Sequence, residues 1–264
     1  WYAAYHLART EAAQPLPLAF GGEATSTDYA RAIAEAALLA LIATLGLLQL
    51  GHETTPEIVQ LAAAALYLYA LACSPFRERA SRVAVLCALP VLAASGAPSV
   101  AIGLGIVGLV ASARSHYGEL NRFAWWIVAA MVLASGIAVL MNAWAWRVAG
   151  FHSWQQLASL LRLLLWFTWP AWPLAVWTLW RWRRQLARRH LSVPWGCALV
   201  GLVACIAMDN SDRALMLSLP ALAVLAAFAL PTLQRATAAA IDWFSMLFFS
   251  GAAVTVWVVY IALQ

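Results

Sequence analysis

Long apolar runs separated by short polar stretches set the pattern of this chain. Runs of about 17–22 apolar residues suit helices crossing a hydrocarbon core of about 30 Å, which takes about 20 residues. Nine such spans are predicted, over residues 33–50, 58–74, 82–95, 98–113, 123–144, 163–180, 193–208, 214–233 and 241–263. The third and fourth are short, and a single longer run across Ser95-Gly96-Ala97-Pro98 is the competing drawing. Pro98 disfavours helix at Ala97, and Gly96 is a natural helix terminator, so a break is predicted there.

Charge supports the break. All sixteen basic residues are Arg. With two short spans, thirteen of them fall on one side of the membrane and three on the other. A single span would move the five-Arg loop "RWRRQLARRH" outside, against the rule that basic loops stay in the cytoplasm. The resulting topology places residues 6–31 and 181–190 in the cytoplasm, and "GHETTPE" (51–57), 145–162 and "DNSDR" (209–213) outside. "TSTD" reads as a helix N-cap before the first span. Trp144, Trp146 and Trp154 suit a stretch lying at the interface, where indoles concentrate.

Composition agrees. The chain is 64% hydrophobic and 10% charged, against about 45–50% and about 25% in an average soluble domain. Its mean hydropathy is +0.79. These values predict an all-α, polytopic transmembrane helix bundle of about nine spans. Residues 1–264 are expected to form a single multi-pass membrane domain. The pI of 9.3 comes from Arg in short loops, so it marks membrane orientation rather than nucleic-acid binding. Cys73, Cys87, Cys197 and Cys205 lie in apolar runs and read as small buried hydrophobes.

Few motifs carry chemistry. "GLGIVG" (Gly103–Gly108) matches a dinucleotide fingerprint letter for letter, but it lies inside an apolar helix with no strand before it. Close helix packing is the better account. The five His have no ligand spacing, so no metal site is predicted, although a divalent metal is left open. No cofactor is expected. Neither a nucleophile elbow nor a phosphate-binding Gly-rich loop occurs.

The outward face is richer. It carries His52, Glu53, Glu57, Asp209 and Asp212 with the three exceptional Arg, Arg147, Arg162 and Arg213. An Arg at the edge of a span can snorkel or pair with an acid. It can also hold a phosphate bidentately, with carboxylates beside it serving as base or as acceptors for sugar hydroxyls. Glu53 and Glu57 have a plainer reading as solvated residues, Glu57 being favoured in a first turn just after Pro56.

Four passages together resemble the membrane part of the GT-C glycosyltransferase superfamily, which includes ArnT-like enzymes and protein O-mannosyltransferases. "GHETTPEIVQLAAAALYLYALA" resembles an outer polar motif opening an apolar helix. "LPVLAASGAPSVAIGLGIVGL" resembles a helix–Lys-Gly-Pro–helix hairpin, with Ser95 or Ala97 where the family has Lys. "LLRLLLWFTWPAWPLAVWTLWRWRR" is similar to a Trp/Pro-rich span ending in a basic loop. "DRALMLSLPALAVLAAF" is similar to an Arg…Leu-Pro-Ala-Leu helix. The outer Asp of the family falls here at Pro56 or shifts to Glu57.

The resemblance implies sugar transfer at the periplasmic face, from a polyprenyl-phosphate donor to a lipid or envelope acceptor, by displacement at the anomeric carbon. It implies that Arg213 holds the lipid phosphate, with Arg162 or Arg147 assisting, and that His52, Glu53 and Glu57 line the cavity. The family's catalytic acid lies in an outer loop after its first span. The chain is therefore read as the C-terminal portion of a longer enzyme, with that loop upstream of Trp1 and the portion alone inactive. Two other classes compete: a non-catalytic membrane scaffold subunit, and a permease for a lipid-linked substrate. A permease would bury ionisable residues at mid-membrane, and none is evident in the spans.

Overall fold

The computed structural model describes residues 1–14, 24–114, 119–144, 154–208, 211–233 and 235–263. Those residues are helical throughout, with no strand among them. In chain order the helices are α1 (Tyr2–Ala8), α2 (Ser26–Ile42), α3 (Leu45–Leu50), α4 (Pro56–Cys73), α5 (Glu78–Ala94), α6 (Pro98–Ala113) and α7 (Glu119–Leu140). There follow α8 (Trp154–Phe167), α9 (Ala171–Arg181), α10 (Arg189–Ala207), α11 (Asp212–Met216), α12 (Leu219–Ala227) and α13 (Arg235–Ala262). Among the described residues, three helical stretches are long and apolar enough to cross a membrane: Pro56–Cys73, Arg122–Leu140 and Arg189–Ala207. The chain therefore has the character of a membrane protein.

Local sequence explains many of the helix ends. Thr25 caps α2, its hydroxyl accepting from the Asp28 amide at 3.1 Å. Pro56 and Pro98 open α4 and α6, where the missing N–H is no loss and the fixed φ is already helical. The break between α5 and α6 lies where the sequence predicts it. Gly96 takes φ +94°, a conformation costly to any residue with a Cβ.

Three predicted spans are not single helices. Residues 33–50 break between α2 and α3, residues 163–180 break at Thr168–Pro170, and residues 214–233 divide into α11, α12 and a short 3₁₀ turn. The first two breaks face each other. The Leu45 amide donates to the Trp169 carbonyl at 3.0 Å, and Gly46 lies so close to the Phe167 ring that a Cβ there would overlap it. Backbone freed by a break must find partners inside the protein when no water is at hand, so each interruption supplies what the other lacks. Thr44 and Thr168 complete the junction by donating their hydroxyls to the carbonyls of Leu41 and Leu164, at 2.7 and 2.6 Å.

The core is rich in alanine, with Ala63, Ala70, Ala88, Ala101, Ala130 and Ala134 all buried on α4 to α7. Small side chains let apolar helices approach closely and gain dispersion contact. The "GLGIVG" glycines serve this packing. A Cβ on Gly105 would stand 2.5 Å from the Met131 sulfur, one on Gly103 3.0 Å from Val200, and Gly108 leaves room for the Tyr67 hydroxyl. Cys73, Cys197 and Cys205 are buried as expected, whereas Cys87 is exposed on α5. It stands on a helix face that also exposes Val83 and Val91, so it contributes to an apolar surface rather than to the core.

Long-range polar contacts sort the turns into two ends. At one end, Arg189 donates to the Leu71 carbonyl and the Ser74 hydroxyl, at 2.5 and 2.7 Å, and Arg188 donates to the Ala12 carbonyl at 3.2 Å. At the other, Gln60 donates to the Ser95 carbonyl at 2.8 Å, and Arg213 pairs with Glu53. The turns grouped this way are the ones that the Arg distribution assigns to inside and outside.

Candidate outer-face site

Short elements bring the polar residues of the second end together. Helix α3 and the turn after it carry His52 and Glu53, Pro56 starts α4 one residue before Glu57, and Ser211 caps α11 through its hydroxyl so that Arg213 falls in the first turn. Helix α11 packs on both α3 and α4. Arg213 then reaches Glu53 at 3.3 Å and Glu57 at 3.8 Å. The contact joins positions 160 residues apart. Asp212 turns back to accept from the Arg213 amide at 2.8 Å, so it serves its own turn.

Burial differs across the group. The Arg213 side chain is 47% exposed and that of Glu57 only 25%. One carboxylate oxygen of Glu57, Oε2, is buried without a hydrogen-bond partner among the described residues. A buried carboxylate oxygen left unpaired is costly and is ordinarily satisfied by a donor. His52 is exposed beside this cluster in sequence and forms no contact that joins it. Glu53 and Glu57 are thus ion-pair partners of Arg213 rather than separately solvated residues.

Arg162 lies outside this cluster. It sits on α8, whose far end meets α3 at the Gly46–Phe167 contact. With Leu161, Leu165, Trp166 and Trp169 it lines an open groove of about 960 Å³. The groove is almost wholly apolar apart from Arg162 and Ser159. No carboxylate pairs with Arg162 among the described residues. Arg147 and Asp209 lie outside the described residues.

Sequence reading did not foresee two features. One is the orphaned oxygen of Glu57, since burial of a single atom depends on neighbours from α11. The other is the α8 groove. Its signal was the alternation of Leu with Trp after Arg162, which reads equally as a lipid-facing helix. Among the described residues no group of three or more His, Cys, Asp or Glu could hold a metal ion. No family model matches the chain, and neither a curated protein nor a solved structure matches it.

Proposed function

We propose that the chain is the membrane part of a glycosyltransferase of the GT-C type, moving a sugar from a polyprenyl-phosphate carrier to a lipid or envelope acceptor at the outer surface of a bacterial inner membrane. The observation that carries this reading is the convergence of Arg213, Glu53 and Glu57 where α11 packs on α3 and α4.

Electrostatics divides the labour between the two Arg. Arg213 faces two carboxylates, so its own charge is more than balanced and a phosphate there would meet negative neighbours. Among the described residues Arg162 has no such partner, and it stands beside an apolar groove. In this reading Arg162 takes the lipid phosphate, with Leu161, Leu165 and Trp166 receiving the first part of the prenyl tail. Arg213 holds Glu53 and Glu57 in place, and the unpaired Glu57 oxygen accepts from a hydroxyl of the sugar or the acceptor.

Transfer breaks the bond between the anomeric carbon and the phosphate oxygen, which leaves with the electron pair. The acceptor oxygen forms the new bond, and its proton goes to a base within hydrogen-bond reach. By the resemblance that base is an acid in an outer loop after the family's first span, and the Arg and Glu residues named above supply binding and orientation.

A second reading, a non-catalytic membrane subunit, draws support from the complete pairing of Arg213. Binding of a polyprenyl phosphate to the purified protein separates the two. Arg162→Ala is expected to weaken binding about tenfold or more, the worth of a charge-assisted hydrogen bond to phosphate, while Arg213→Ala changes it far less. Equal binding by the parent and Arg162→Ala removes the phosphate role. No binding by either leaves the subunit reading.

A further inference from the structure

The other end of the bundle, predicted to be cytoplasmic, carries a feature that the glycosyltransferase reading does not use. A groove of about 350 Å³ opens where α1, α2, α4 and α12 meet. Its walls are apolar, with Leu38 and Leu41 from α2, Leu66 from α4 and Val224 from α12. Trp1, Tyr2 and Tyr69 stand at one end of it. These rings belong to a larger cluster. Trp1 stacks on Tyr5, Tyr2 meets Tyr69 edge-on, and His6 lies between Tyr69 and Phe76. Trp and Tyr gather where a membrane changes from hydrocarbon to headgroup.

Two cations border that aromatic cluster. The Arg9 guanidinium lies over Phe76 at 5.1 Å and over Tyr5 at 5.7 Å from the ring centres. Arg77 follows Phe76 in the chain and stands at the N-cap of α5, close enough to His6 and Tyr69 for its charge to act on both. Both Arg are exposed, and among the described residues neither pairs with a carboxylate. Glu78, next to Arg77, is taken by Arg82, and Glu11, two residues from Arg9, forms no ion pair with it. Through Trp1, Tyr2 and Tyr69 the apolar groove is thus continuous with the aromatic cluster and with two guanidiniums that pair with no carboxylate among the described residues.

The geometry points to a binding site for an anionic phospholipid of the inner leaflet, its acyl chain in the groove and its phosphate between Arg9 and Arg77. Charge complementarity selects the occupant. A neutral lipid would leave two cations unmatched, whereas an anionic headgroup meets them at the depth where such headgroups lie. The apolar walls exclude a free phosphate as the intended ligand, because it would leave the groove empty. The site is independent of the outer face, so it stands or falls separately from sugar transfer.

The test is retention of lipid by the detergent-purified protein, read by mass spectrometry of the intact complex. Three probes are compared: phosphatidylglycerol, phosphatidylcholine and tailless glycerol phosphate. Phosphatidylglycerol is expected to be retained about tenfold better than the other two. The double variant Arg9→Ala/Arg77→Ala, both at exposed positions, should lose that preference. Arg183→Ala/Arg184→Ala, exposed on the same end but away from the groove, should keep it. Equal losses in both double variants would mean diffuse attraction to the basic face and overturn the site. Binding of glycerol phosphate as strong as that of the lipid would overturn the role of the groove.

Discussion

Replacing Gly201 by Ala tests whether close helix packing holds this bundle together. Gly201 lies on α10 against the turn between α11 and α12. A Cβ there would stand 2.8 Å from the Ser218 amide nitrogen, 2.9 Å from its Cβ and 3.1 Å from its Cα. The first two fall below any normal Cβ contact. The obstacle is largely backbone, and Ser218 is buried, so no side-chain rotation relieves it. Helix α10 must move away from α12 by several tenths of an ångström. Overpacking of this kind costs typically about 1–3 kcal/mol, partly offset by the roughly 1 kcal/mol advantage of Ala over Gly within a helix. The expected net effect is a loss of up to about 2 kcal/mol. Gly136, on α7, provides the control, because a Cβ there meets nothing within 4 Å. Gly136→Ala should leave stability unchanged or slightly raised. Thermal unfolding of both variants in one detergent, at one heating rate, is the assay. A Gly201→Ala midpoint at or above the parent's would refute the packing argument, as would a Gly136→Ala midpoint below that of Gly201→Ala.

Further predictions concern charge and orientation. The half-exposed pair of Arg213 and Glu57 should show a coupling of about 0.5–1 kcal/mol in a double-mutant cycle of Arg213→Ala and Glu57→Gln, shrinking at high salt; zero coupling at low salt would mean that the contact does not persist in solution. Burial, with Arg77 and Arg9 nearby, lowers the His6 pKa to about 4 from the usual 6.5. Between those values the unfolded chain binds a proton that the folded one refuses, so stability should fall as pH drops from about 6.5 to about 4 and should level off below. His6→Phe should flatten that slope, and an unchanged pH profile in the variant would assign the acid sensitivity to other groups. For topology, Thr54→Cys should react in intact cells with a thiol reagent that cannot cross membranes, and Leu186→Cys should not; Cys87→Ser is the right background, since Cys87 is exposed. The reverse pattern would invert the bundle.

Much of the architecture was legible in local sequence, because the causes are local. Apolar run length marks helices, Pro56, Pro98 and Thr25 act on their own first turns, and Gly96 ends α5 through its own φ angle. The Arg pattern likewise grouped the turns by end, since orientation depends on summed charge rather than on contacts. That Glu53, Glu57 and Arg213 gather at one end of the bundle was also readable, from their predicted shared side and their places beside spans.

Tertiary structure decided what depends on distant partners. The apolar run continues across Thr44, yet the helix breaks there, whereas at Thr168 the Pro170 that follows already disfavours helix in the local sequence. What only packing supplies is the match between the two breaks, through the Leu45–Trp169 bond and the room that Gly46 leaves for Phe167. The same holds for Arg213, whose position beside two carboxylates rather than alone is set by how α11 packs on α3 and α4. Composition shows how many charges an outer face carries, but pairing is a matter of ångströms. Those distances exist only once the helices have packed.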